Sequence, residues 1–123
     1  MNLTTSCIIT ENIEQLSEFY ERVLQLEAHF YGEDYVEFET ETADLSLFSL
    51  KEHEKLAADS AVPGTNKNVL LEFMVEDVEK EYERLIELGV NIIKEPTTQP
   101  WGNRSIYFED PDGNILNFYT PQT

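Results

Sequence analysis

The sequence predicts an α+β fold made of two βαβββ modules in one chain. The first observation is an internal echo, in which YERVLQL at residues 20–26 recurs 62 positions later as YERLIEL at residues 82–88. The second is that each half reads as a strand, a helix and three further strands. The third is the length of 123 residues, which suits one compact domain, whereas a half of about 60 residues is marginal alone. We therefore expect a single domain, with module 1 over about residues 1–52, a linker over about 53–66 and module 2 over about 67–123.

Module 1 begins with a strand-like run over residues 6–10, followed by a helix. Asn12 is a suitable N-cap for this helix, because its side chain can accept a hydrogen bond from the first turn. Apolar residues then recur at helical spacing: Ile13, Leu16, Phe19 and Val23. Three strand-like runs follow over residues 28–31, 35–40 and 45–50, and residues 51–58 form a short polar helix.

Module 2 repeats this order after the last part of the linker, residues 60–66, which contains the turn-forming pair Pro63-Gly64. A strand over residues 69–75 precedes a helix capped by Asp77 and stopped by Gly89. Its last three strands are predicted over residues 90–94, 104–109 and 115–119. The turn DPDGN at residues 110–114 joins the last two strands, since Pro sets a turn φ and Gly supplies a positive φ, and it predicts a hairpin.

Composition and charge exclude several functions. Eight Lys and Arg against 25 Asp and Glu leave a net charge of −17, which repels phosphate backbones and anionic headgroups, so we expect no nucleic-acid partner and no membrane. The same field attracts small cations. The first residues lack the basic start and the apolar stretch typical of a signal peptide, so we expect none, and no apolar run has the length that spans a bilayer. Its one cysteine, Cys7, fits a reducing compartment and lies in an apolar run that favours a buried, inert thiol. We expect a cytoplasmic protein.

Strand parity divides the strand residues into two faces. One set is consistently apolar and is expected to pack against the helices: Ile8, Leu45, Leu47, Val69, Leu71, Phe73, Leu116 and Phe118. The opposite set is mixed: Thr5, Cys7, Ser46, Phe48, Leu70, Glu72, Asn117 and Tyr119. A face with aromatic walls and a few polar groups is typical of a small-molecule site.

Motifs spread over nearly the whole chain carry a family resemblance. They are Asn12-Ile13, FYERVL at 19–24, VEDV at 75–78, Leu88-Gly89, PWGNR at 100–104 and DPDGN at 110–114. Together they resemble the vicinal oxygen chelate superfamily, which groups glyoxalase I, extradiol dioxygenases, fosfomycin-resistance enzymes and bleomycin-resistance proteins. The C-terminal motifs are most similar to the bleomycin-resistance branch. The resemblance implies a mixed sheet that curls around a cavity, often completed by a second copy, so we expect a homodimer.

The resemblance also implies where a metal would lie. In the metal enzymes of the family, four ligands, usually His and Glu, come from the first and last strands of each module. Carried over, these positions are Thr5, Ser46, Leu70 and Asn117, and a shift of two residues would exchange Leu70 for Glu72. One carboxylate does not hold a catalytic divalent ion, so we expect no metal and no other cofactor.

Eight residues are candidates for contact with a small organic ligand: Thr5, Ser46, Phe48, Glu72, Trp101, Arg104, Asn117 and Tyr119. Glu72 stands out because a carboxylate in an apolar strand must be paired, hydrated or offered to a ligand, and Arg104 could be its internal partner. Phe48 and Tyr119 could stack on a planar ligand or complete a core. Trp101 could lie beside the ligand, as the resemblance favours, or plug its own loop.

Three functions stay open at this point. The leading one is a metal-free binding protein that holds a small organic molecule and sequesters a cationic antibiotic or natural product. The second is a divalent-metal-dependent lyase, isomerase or dioxygenase of the glyoxalase I type, whose ligands lie elsewhere in the sequence. The third is a non-catalytic interaction or regulatory domain whose cavity is filled by its own side chains, which packing of Phe48, Leu70 and Trp101 without a void would support.

Overall fold

The computed structural model describes residues 1–121, which divide into two compact units, residues 1–65 and the residues from Asn66 onward. The short helix and most of the linker belong to the first unit. None of the helices in residues 1–121 combines the length and the apolar character that crossing a bilayer requires.

The first unit contains four strands and two helices. They are β1 (Thr5–Thr10), α1 (Ile13–Leu24), β2 (His29–Phe30), β3 (Tyr35–Phe38), β4 (Asp44–Ser49) and α2 (Leu50–Leu56). The strand order is β1-β4-β3-β2, in which β1 and β4 are parallel and the other neighbours are antiparallel. Because β1 and β4 run parallel, the chain between them crosses over, and it does so through α1.

The second unit repeats this topology with one helix. Its elements are β5 (Leu70–Met74), α3 (Val78–Glu87), β6 (Asn91–Thr98), β7 (Arg104–Glu109) and β8 (Ile115–Thr120). The strand order is β5-β8-β7-β6, with β5 and β8 parallel. The predicted α+β class and the two βαβββ modules are confirmed, and each module forms its own four-stranded mixed sheet.

One strand is longer than its sequence predicts. The expected run over residues 90–94 is a strand over Asn91–Thr98, with register shifts on both sides of Lys94. Pro96 lies inside the second shift, where a missing N–H costs no ladder bond, and β6 is the edge strand of its sheet.

The predicted helix caps are confirmed. The side chain of Asn12 accepts a hydrogen bond from the Gln15 amide at 3.0 Å, and Asp77 accepts one from the Lys80 amide at 3.2 Å. Gly89, with φ of 75°, follows the end of α3, where a left-handed conformation terminates the helix.

The structural repeat differs in period from the sequence echo. The two N-caps, Asn12 and Asp77, are 65 residues apart, three more than the echo of Tyr20 in Tyr82. Counted from the caps, the counterpart of Tyr20 is Leu85, and both side chains are fully buried, whereas Tyr82 is only half-buried. The echo therefore records helix composition, and the packing register is set by the caps and strands.

The core of each unit lies between its long helix and one face of its sheet. In the first unit it comprises Leu16, Tyr20, Val23, Val36, Phe38, Leu45 and Leu47. In the second unit it comprises Val78, Leu85, Ile106, Phe108, Leu116 and Phe118. The predicted apolar face is confirmed except for Val69, which precedes β5 and is 57% exposed.

The predicted hairpin between β7 and β8 is confirmed, and a buried carboxylate organises it. Asp110 Oδ1 accepts hydrogen bonds from the amides of Asp112 and Asn114, each at 2.9 Å. Asp110 Oδ2 accepts a third bond from the side-chain Nδ2 of Asn114 at 2.8 Å. Gly113, with φ of 84°, completes the turn, which fixes where β8 begins.

The packing register predicts contrasting effects of two neighbouring substitutions in α3. Leu85→Ala should lower the free energy of unfolding by about 2–5 kcal/mol, because it leaves a cavity in a fully buried position. Ile86→Ala, at a side chain that is 50% exposed, should cost less than about 1 kcal/mol. Urea titration of both variants measures the difference, and equal losses would contradict the assigned register.

Candidate functional site

Each sheet has a face that its long helix does not cover. We call this the open face: in the first unit it lies opposite α1, and in the second unit opposite α3. The central strand of each open face carries one buried polar residue, Ser46 in β4 and Asn117 in β8, which are 0% and 3% exposed. All eight candidate residues except Trp101 lie in strands, and all except Trp101 and Arg104 follow the parity of an open face.

A polar pair occupies the open face of the second unit. Glu72 in β5 lies directly opposite Asn117 in β8, and Asn117 Nδ2 donates a hydrogen bond to Glu72 Oε1 at 3.1 Å. The carboxylate is exposed, whereas the amide is buried. Tyr107 in β7 and Lys94 in β6 continue the same row of residues across the sheet.

The other end of the Asn117 amide has no partner among residues 1–121. An ionised carboxylate only accepts hydrogen bonds, so the NH₂ group of Asn117 must face Glu72 and its Oδ1 must point away. That oxygen is buried and accepts no hydrogen bond. A buried, unsatisfied acceptor costs stability, so it is an atom that a ligand donor would satisfy.

Arg104 does not pair with Glu72, and this expectation is wrong. Arg104 shares the strand parity of Ile106 and Phe108, which puts it on the face covered by α3. Its guanidinium donates to Glu79 of α3 through Nε and to Thr98 Oγ1 at 3.1 Å through Nη1. The hydrogen bond to Glu79 raises the pKa of Arg104 further above its usual value. Arg104 thus ties the start of β7 to the helix.

Trp101 lies in the loop between β6 and β7, which is closed by hydrogen bonds from the Gln99 amide to the Asn103 carbonyl and from the Gly102 amide to the Gln99 carbonyl. Its side chain is 68% exposed, so it does not plug the loop. Leu70 is 39% exposed. The tight packing of Leu70 and Trp101 that would have supported a non-catalytic interaction or regulatory domain is therefore not observed.

Tyr119 also lies on the open face of the second unit, one row from Asn117. It is opposite Met74 on β5 and Ser105 on β7, and it is half-buried, whereas Met74 is 67% exposed. The row therefore combines an aromatic ring with an accessible thioether beside the Glu72–Asn117 pair.

The open face of the first unit carries a corresponding polar row. Ser46 lies opposite Cys7 on β1 and Glu37 on β3, and Glu37 lies opposite His29 on β2. Thr5 begins β1 on the same face, opposite Asp44. The thiol of Cys7 is free and exposed, so the expectation of a buried thiol is wrong, because strand parity turns Cys7 away from α1.

Aromatic rings line the next row of the first unit. Phe48 contacts Tyr35 at a centroid distance of 6.0 Å and His53 of α2 at 6.2 Å. Tyr31 contacts Tyr35 at 6.0 Å. The stacking position predicted for Phe48 is thus part of a larger aromatic row.

The tyrosines of this row are perturbed by a carboxylate. The charge of Glu37 raises the pKa of Tyr31 above its ordinary value of 10.0, and a hydrogen bond to Glu37 adds to this effect. For Tyr35, a contact with the Ser46 hydroxyl lowers the pKa, but burial and the hydrogen bond to Glu37 outweigh it and leave the pKa raised.

The residues present do not fit a catalytic divalent metal. The strand register places Glu72 opposite Asn117, Leu70 opposite Ile115, and Cys7 opposite Ser46. The carried-over positions offer two hydroxyls, one amide and an aliphatic side chain. Within residues 1–121, no three His, Cys, Asp or Glu side chains converge as a metal site would require.

The fold and the motifs agree with comparisons to known proteins. The profile of the Glyoxalase/Bleomycin resistance protein/Dioxygenase superfamily matches residues 2–118. The chain belongs to this superfamily. It is 27% identical to YraH of Bacillus subtilis (strain 168), an uncharacterized protein, over 97% of this chain and 98% of that protein.

Solved structures support the same fold. A glyoxalase/bleomycin resistance protein/dioxygenase family enzyme from Burkholderia phytofirmans PsJN aligns with a TM-score of 0.85 at 20% identity, covering 98% of each chain. A lactoylglutathione lyase from Agrobacterium tumefaciens aligns with a TM-score of 0.76 at 22% identity, covering 97% of this chain and 92% of that one. At these identities the similarity shows the fold alone.

Sequence reasoning missed Glu37, Tyr35 and Tyr31 as residues of the open face. Parity within residues 35–40 would have placed Tyr35 and Glu37 on one face, but their register against Ser46 depends on strand pairing. The contact of His53 with Phe48 depends on the position of α2 and leaves no signal in the sequence.

The perturbed phenols predict an effect of Glu37→Gln. Removing the charge should lower the pKa of Tyr31 toward 10.0, because that charge is the largest cause of its shift. The measurement is an ultraviolet titration of phenolate absorbance in the wild-type protein and in Glu37→Gln. Subtracting the titration of the same protein with Tyr31→Phe isolates the signal of Tyr31. An unchanged Tyr31 titration would contradict the contact between Tyr31 and Glu37.

Proposed function

We propose that this protein is a metal-free binding protein for a small organic molecule with a cationic N–H donor group, as in the bleomycin-resistance branch of its superfamily. The observation that carries the proposal is that only one end of the Asn117 amide is hydrogen-bonded within residues 1–121. Its NH₂ group is bonded to Glu72, and its buried Oδ1 accepts nothing from residues 1–121. The exposed carboxylate and this oxygen are two acceptors on neighbouring strands.

The exposed carboxylate of Glu72 suits a guanidinium, amidinium or primary ammonium group, and the buried oxygen of Asn117 is a second acceptor on the neighbouring strand. Hydrogen bonds in which both partners are charged are shorter and stronger than neutral ones. A donor that approaches Asn117 Oδ1 also removes the cost of leaving that oxygen unsatisfied. Tyr119 and Met74, one row away, offer an apolar surface for the remainder of the ligand.

The overall charge supports a cationic ligand. The net charge of −17 raises the local concentration of cations and speeds their association, and the effect weakens as salt is added. Sequestration of a cationic antibiotic or natural product would use this field. The proposal keeps the expected homodimer and the cytoplasmic location, the latter supported by the exposed free thiol of Cys7.

The metal-dependent alternative is a lyase, isomerase or dioxygenase of the superfamily. The donor set described above disfavours it, because hydroxyl and amide side chains bind divalent ions weakly without carboxylates or imidazoles beside them. Thermal unfolding of chelator-treated protein with added Zn²⁺, Ni²⁺, Mn²⁺ or Fe²⁺ tests it. A ligand present at 100 times its Kd adds about 2.7 kcal/mol to the free energy of unfolding, so metal binding would raise Tm measurably. We expect no rise in Tm. A rise that Glu72→Gln abolishes would favour the metal-dependent enzyme.

We predict that Glu72→Gln weakens the binding of N–H-donating cations. Benzamidine, an amidinium with several N–H donors, should bind the wild-type protein more tightly than neutral benzamide. The substitution should lower the affinity for benzamidine by roughly 10-fold or more, which is the effect of losing a hydrogen bond to a charged group. It should have little effect on the affinity for benzamide. Isothermal titration calorimetry at low salt measures both affinities.

Glu76→Gln is the matched control. It removes the same charge from an exposed position two residues beyond β5, so it reports the general field alone. Equal weakening by both substitutions, or equal affinity for benzamidine and benzamide, would contradict the assignment of the Glu72–Asn117 pair.

A further inference from the structure

The open face of the first unit carries a continuous row of four rings. Consecutive centroids are 6.0 Å apart for Tyr31 and Tyr35, 6.0 Å for Tyr35 and Phe48, and 6.2 Å for Phe48 and His53. Tyr31 is 59% exposed and the other three rings are half-buried, so solvent reaches the row. The rings are held in place, since His53 Nε2 hydrogen-bonds Ser60 Oγ at 2.7 Å and Tyr35 Oη donates to Glu37 at 3.0 Å.

A carboxylate without a cationic partner lies beside these rings. Glu37 Oε2 accepts the Tyr35 hydrogen bond, and the Tyr31 phenol also interacts with this carboxylate. None of the salt bridges formed within residues 1–121 involves Glu37. The first unit thus presents a negative charge beside the aromatic row, and no salt bridge within residues 1–121 neutralises it.

The hydroxyl of Ser46 lies beneath the same row. It is fully buried, points to the open face by strand parity, and makes no hydrogen bond of normal geometry within residues 1–121, although it lies close enough to Tyr35 to lower that phenol's pKa. Polar atoms in protein interiors are normally bonded. The open face of the first unit therefore has, beneath its aromatic rings, a buried hydroxyl without a hydrogen-bond partner within residues 1–121.

We propose that this aromatic row and Glu37 form a second binding site, for alkylated ammonium groups such as trimethylammonium. Such a cation is attracted to ring faces and to a nearby carboxylate, and it has no N–H to donate. Tyr35 already donates a hydrogen bond to Glu37, which leaves the negative charge of this carboxylate in place. This site differs in chemistry from the Glu72–Asn117 pair, which requires N–H donors, and it does not rest on that function.

The test compares choline with its neutral carbon isostere, in which the quaternary nitrogen is replaced by carbon. NMR titration of the intact protein should show choline shifting resonances of the first unit and binding at least about 3-fold more tightly than the isostere, within the range of an exposed cation–π contact. Glu37→Gln, which retains an acceptor for Tyr35, should reduce this preference, because it removes the charge and leaves the rings in place. Tyr31→Leu, which removes an exposed ring, should lower the affinity for choline by about 3- to 30-fold.

Two charge-matched variants separate this site from the general field of the protein and from the second unit. Glu41→Gln, in an exposed loop of the first unit, and Glu72→Gln should each leave the preference for choline over its isostere unchanged. Equal affinities of the wild-type protein for choline and the isostere would overturn the inference. So would an unreduced preference in Glu37→Gln. Loss of the preference in Glu72→Gln would also overturn it, because that result would assign choline to the second unit. Failure of benzamidine binding would overturn the proposed function while leaving the choline result intact.

Discussion

The burial of one amphipathic helix against one face of each sheet is the constraint on which the rest of the structure depends. Leu16, Tyr20 and Val23 of α1 and Leu85 of α3 are almost completely buried, and they require the apolar residues of the strands to point toward them. Side chains alternate along a strand, so this choice also determines which residues face away. A slip of one residue in β8 would exchange Asn117 for an apolar neighbour on the open face.

The two open faces use this constraint in the same way but with different chemistry. Ser46 and Asn117 hold equivalent positions, each on a central strand that pairs in parallel with the first strand of its unit. Each leaves one buried polar atom unbonded within residues 1–121, at a cost of about 1–3 kcal/mol per atom. In one unit the neighbouring carboxylate accepts a hydrogen bond from an amide, and in the other it accepts one from a phenol. Hydrogen-bond acceptors therefore dominate one face, and aromatic surface the other.

Local sequence signals predicted most of the fold because they act within a few residues. Asn12, Asp77 and the 110–114 turn each satisfy backbone groups nearby, and their roles hold in the structure. The extension of β6 through Pro96 and the register of the two helices were not predictable in this way. Both depend on how strands align, and the echo between Tyr20 and Tyr82 pointed to a period three residues too short.

The sequence by itself determined the module order, the helix caps, the two strand faces and the negative charge, since each follows from residue type and short spacing. The tertiary structure alone decided which side chains are partners. Arg104 binds Glu79 because strand parity turns it toward α3, and Glu72 binds Asn117 because parallel pairing sets them opposite each other. The aromatic row contains residues from two distant segments, Tyr31 in the turn after β2 and His53 in α2. Only the folded sheet brings them into one row, because contacts between distant segments follow from strand pairing.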